Sequence, residues 1–76
     1  MDDLGTQSEA LSYVRSTCLS GEAARLRQAM HLSCADVARD VGVDTATISR
    51  WERGERRPMG QAAVRFAGML HKWSHR

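Results

Sequence analysis

The 76 residues predict an all-α domain of five short helices, and three observations carry that prediction. No stretch alternates apolar and polar residues with the period of two that a half-buried strand needs. Apolar residues recur instead at intervals of three and four, the spacing of one helix face. Polar caps before those stretches, and glycines just after several of them, cut the chain into helical lengths. A composition 42% hydrophobic and 26% charged with one proline belongs to a folded chain. At this length it is one small domain, too small for a separate catalytic or effector unit.

Taken in order, Thr6-Gln7-Ser8-Glu9 has the capping-box form and opens a helix from Gln7 to Leu19. Leu4, Leu11, Val14 and Leu19 give it an apolar stripe that Tyr13 and Cys18 widen, and Ser20-Gly21 stops it. A second helix runs from Glu22 to His31 with Ala23, Leu26 and Met30 on one face. Leu32-Ser33 before Val37, and Val43-Asp44 before Ile48, each place a polar cap after an apolar residue that meets another five positions on. That hydrophobic staple starts a third helix over Cys34–Val41 and a fourth over Thr45–Arg53. Gly42 and Gly54 follow them at the left-handed stop position. After Pro58, the spacing of Met59, Ala62, Ala63, Phe66, Leu70 and Trp73 predicts a fifth helix, weakened by Gly68.

Charge is uneven along the chain. Residues 1–38 hold three Arg against five carboxylates, net −2, whereas residues 39–76 hold seven Arg and Lys72 against four, net +4. Arginine favours planar, two-pronged contact with phosphate or guanine. Only Gly42, Val43 and Asp44 separate the third and fourth helices, which is the helix-turn-helix pattern. On the fourth, Ile48, Trp51 and Glu52 share one side, while Thr45, Ala46, Ser49, Arg50 and Arg53 lie away from it. Short groups at a helix N-terminus with arginines one or two turns on suit entry into the major groove of DNA. Arg53, Arg56 and Arg57 around Gly54 then suit the phosphate backbone, although a solvated loop would carry the same residues.

The runs Arg25-Leu26-Arg27-Gln28-Ala29-Met30-His31-Leu32-Ser33, Val37-Ala38-Arg39-Asp40-Val41-Gly42-Val43 and Thr47-Ile48-Ser49-Arg50-Trp51-Glu52-Arg53-Gly54, with Arg57-Pro58, resemble the lambda-repressor-like helix-turn-helix family, also called XRE or Cro/C1. The resemblance spans Glu22 to Leu70 and implies a helix-turn-helix DNA-binding domain over residues 22–76, with residues 1–21 as an extension carrying one additional helix. It implies base contacts from Thr45, Ala46 and Arg50, with Thr47 and Ser49 at base or backbone. Phosphate contacts fall on Ser33, Cys34, Arg53, Arg56 and Arg57. Where the family usually carries glutamine this chain has Cys34, so that contact passes to the helix N-terminus itself. The resemblance also implies an ion pair of Arg27 with Glu52, which suits a carboxylate on the inner helix face.

The function expected is sequence-specific binding of double-stranded DNA by a small dimeric repressor at an inverted repeat. An antitoxin masking a partner through its N-terminal helix, or a protein-binding adaptor, are the alternatives. A homodimer seam is expected on the fifth helix, with the first as its rival. Neither a catalytic triad nor a phosphate loop occurs, so no catalysis, cofactor or metal is expected. His71 and His75 share a face without a third ligand and read as a frayed tail. Cys18 and Cys34 are expected reduced, with Cys34 open to a lowered thiol pKa at its helix N-terminus. The acidic start Met1-Asp2-Asp3 and the shortness of every apolar run lead to an expectation of a cytoplasmic protein without membrane contact.

Overall fold

The computed structural model describes residues 5–75 and arranges them as α1 (Gln7–Leu19), α2 (Glu22–Ala29), α3 (Cys34–Val41), α4 (Thr45–Glu52) and α5 (Gly60–Ser74), with no strand among those residues. Leu4 and the acidic opening lie outside them. The caps explain the starts. Thr6 accepts from the Glu9 amide while Glu9 accepts from the Thr6 amide, and Ser33 and Asp36 repeat that exchange at α3. Asp44 caps α4 by accepting from the Thr47 amide at 2.9 Å. Each bond satisfies an amide that the first helical turn leaves without a partner.

Two helices end sooner than the sequence predicts: α4 closes at Glu52 with Arg53 as its cap, and α2 falls short by two residues. Instead of continuing to His31, α2 stops at Ala29, and the chain turns through His31 at φ 60°. The His31 amide donates to the Gln28 carbonyl and the Leu32 amide to the Arg27 carbonyl, a Schellman stop built on histidine where glycine is usual. At the end of α3 the left-handed position does fall on glycine: Gly42 has φ 87°, and its amide and that of Val43 both reach the Ala38 carbonyl. A Cβ there would meet the left-handed penalty of roughly 1–2 kcal/mol. Arg65 of α5 donates to the Val41 carbonyl at 3.0 Å and closes the same helix end.

A single core joins all five helices. Val14 and Cys18 of α1, Ala23 of α2, Val37 and Val41 of α3, Ile48 and Trp51 of α4, and Phe66 and Leu70 of α5 are all buried in it. Phe66 stacks on Trp51 with ring centres 6.1 Å apart and so ties α5 to α4. The helix at the N-terminus packs mainly along α5 and also touches α2 and α4. Its buried face is Ala10, Val14, Thr17 and Cys18; Thr17 can be buried because its hydroxyl donates to the Tyr13 carbonyl at 2.6 Å. Leu19, expected on the apolar stripe, is instead 74% exposed, because the stripe drifts away from it one turn earlier. Met59 likewise lies outside α5 and is exposed.

Gly68 sits in the exposed face of α5, and a Cβ there would meet nothing within 4 Å. Gly68→Ala is therefore expected to stabilise the protein by about 1 kcal/mol. The melting temperature should rise by roughly 4–8 °C; a fall would mean the α5 face is less open than it stands here.

Candidate nucleic-acid interface

Helices α3 and α4 pack against one another across Gly42, Val43 and Asp44, and the buried Ile48 and Trp51 seat α4 on the core. With that face fixed, Thr45, Ala46 and Arg50 are exposed on the opposite side, and Thr47 and Ser49 stand half-exposed beside them. Two of the short polar groups have local partners. The Thr47 hydroxyl donates to the Asp44 carboxylate, completing the cap, and Ser49 Oγ accepts from Arg53. Hydrogen bonds from Thr47 hold the Asp44 carboxyl below the usual carboxylate range.

The basic loop divides into paired and open arginines. Arg53 donates through Nε and a terminal nitrogen to both oxygens of Glu55, at 2.8 and 3.0 Å, and its guanidinium is raised above its ordinary value by that bond. The Glu55 carboxyl is lowered by the same contact. Arg50, Arg56 and Arg57 are exposed, and no carboxylate among the described residues forms an ion pair with them. The loop is held in place by its backbone: the Glu55 and Arg56 amides both donate to the Arg50 carbonyl, at 2.9 and 3.3 Å. Arg15 of α1 donates to the Pro58 carbonyl at 2.8 Å from the other side.

Ser33 and Cys34 lie at the start of α3. Ser33 Oγ is engaged as the cap, whereas the Cys34 and Ala35 amides are the first two of the helix and have no intrahelical acceptor. Cys34 turns its thiol inward, with Sγ 3.8 Å from Glu52 Oε1. Burial and the nearby Glu52 carboxylate push that thiol up, the opposite of the lowered value expected from a helix N-terminus. The Cys18 thiol is pushed up to about 12 by burial. Neither cysteine has the environment of a reactive thiolate.

Glu52 and Arg27 meet in a two-pronged pair. Nε donates to Oε2 at 2.7 Å, a terminal nitrogen donates to Oε1 at 2.9 Å, and the side chains are 6% and 12% exposed. The remaining terminal nitrogen of Arg27 donates to the Leu32 carbonyl at 2.9 Å. One guanidinium therefore binds α2, the α2–α3 turn and the C-terminal end of α4, which sets the angle at which α4 is presented. The bond to Glu52 raises the Arg27 guanidinium above its ordinary value.

Of the two histidines near the C-terminus, His71 lies within α5 and His75 is the residue that follows its last turn at Ser74. Their rings are 4.3 Å apart, and Tyr13 packs edge-on to His71 at 5.7 Å. Among the described residues, no group of three or more His, Cys, Asp or Glu is placed to hold a metal ion. No helix among them is long and apolar enough to cross a membrane.

Comparison with known families matches residues 19–71 to the helix-turn-helix domain. That span is most of the chain, and the protein belongs to this family, in agreement with the lambda-repressor-like resemblance of its motifs. No curated protein and no solved structure gives a match. Family membership points to DNA as a partner of the protein.

Proposed function

We propose that the protein is a sequence-specific regulator that binds double-stranded DNA as a homodimer at an inverted repeat and represses by occupying a promoter. The observation that carries this reading is the outer face of α4, where Thr45 and Ala46 clear the way for close approach and Arg50 projects without a paired carboxylate. Thr45, Ala46, Thr47, Ser49 and Arg50 read bases, with Ala46 suited to a thymine methyl. Arg56 and Arg57 hold phosphates, joined by Arg53 and by the open amides at Cys34 behind the Ser33 cap. Arg53 enters as a shared cation, since Glu55 already holds it.

Dimerisation doubles a short half-site into a specific one. The edge of α5 where half-buried Ala62, Met69 and Trp73 flank the core is the seam this reading favours, because the buried face of α1 lies inside its own domain. That same packing counts against an antitoxin that would offer α1 to a partner. The working compartment is the cytoplasm.

Anisotropy titrations on a preferred duplex test the roles. Arg50→Ala should cost about 1–3 kcal/mol at one base pair and relax preference there. Arg57→Ala should weaken all duplexes alike and flatten the dependence of log affinity on log salt by about one unit. The reverse pattern would exchange the two roles, and no effect from either would remove this face from the interface.

A further inference from the structure

The α4–α5 loop and the end of α1 border an open hollow of about 320 Å³, whose apolar part DNA reading leaves unused. Cys18, Trp51 and Pro58, all buried, form its apolar wall, and the exposed Leu19 stands at its mouth. Arg56 and Arg57 line it too, and the bond from Arg15 to the Pro58 carbonyl fixes the loop that carries them. No acidic side chain lines it; Glu55, beside Arg56 in sequence, is turned to Arg53. Apolar walls with a few placed polar groups, at this volume, are the ordinary make-up of a small-molecule site. The cations select the charge of the occupant.

We propose that this hollow binds a small free carboxylate with an apolar tail, the tail lying against Trp51 and Leu19 and the carboxylate meeting Arg56 and Arg57. The planar guanidinium fork matches a carboxylate in two-pronged geometry. Arg56 and Arg57 are also the phosphate contacts assigned above, so an occupied hollow releases the duplex. That regulatory half rests on the DNA reading, whereas ligand binding itself does not.

Octanoate is the probe, with uncharged octanol beside it, and Trp73→Phe leaves Trp51 as the sole fluorescent indole. Octanoate should change Trp51 emission saturably and bind about tenfold more tightly than octanol, the factor expected of one charge-assisted contact. Leu19→Glu puts a carboxylate at the mouth on an exposed position, and it should abolish binding without altering the melting temperature. Arg56→Ala and Arg57→Ala should each weaken octanoate but not octanol. An unsaturable response, or equal binding by all variants, would overturn the site. A Leu19→Glu protein that turns from dimer to monomer in sedimentation, with no octanoate response in the parent, would assign the hollow to a second copy and overturn it too. Octanoate that binds without displacing duplex would keep the site and overturn its regulatory half; duplex binding without octanoate binding would overturn the site and leave the DNA reading standing.

Discussion

Glu52→Ala should lower stability by about 3–5 kcal/mol, because it leaves the Arg27 charge buried with one carbonyl for company. Arg27 is 12% exposed, and its contact to Leu32 is the only one of its three hydrogen bonds that does not end on Glu52. A chain of this size has total stability of only about 0.05–0.15 kcal/mol per residue, so the variant should stand near the edge of unfolding at room temperature. Removing both charges, as in Arg27→Met with Glu52→Leu, should be far milder, since no unpaired charge remains. Urea unfolding of the single and double variants measures the difference. A single variant as stable as the parent would show that the pair does not hold α2 against α4.

Phe66→Ala should cost a similar amount, about 3–5 kcal/mol, for a different reason. Phe66 is fully buried at the point where α5 meets α4, and its ring stacks on Trp51. Truncation leaves a cavity in the core where α5 meets α4, beside the Trp51 ring. The expected signature is twofold: a lower urea midpoint, and a shifted Trp51 emission even in protein that remains folded. DNA affinity should fall with it, because Trp51 seats the helix that presents Arg50. A cost under about 1 kcal/mol would mean the site collapses easily and that α4 is not seated by this stack.

The parts of the fold that were legible in the sequence are those governed by neighbours in the chain. Caps at Thr6, Ser33 and Asp44, and the left-handed Gly42, act within four residues, so local pattern was enough to start α1, α3 and α4 and to place the turn. The end of α2 was illegible because His31 takes a conformation that glycine usually marks. Leu19 misled for another reason: the face of α1 that packs is Ala10, Val14, Thr17 and Cys18, and Leu19 lies on the opposite side of the helix from it. At the candidate interface, the outward face of α4 follows from helical geometry once Ile48 and Trp51 are buried. The pairing of Arg53 with Glu55 is different, since two residues apart in a loop they meet only through the turn at Gly54. Cys34 shows the same limit, as its inward thiol depends on where the end of α4 comes to rest.

Selection of duplexes from a random pool by the purified protein tests whether α4 recognises a DNA sequence. Enrichment of one motif with two-fold symmetry is expected, relaxed at a single base pair in each half by Arg50→Ala. Recovery of no motif, with only general binding that fades as salt rises, would contradict sequence-specific recognition by α4.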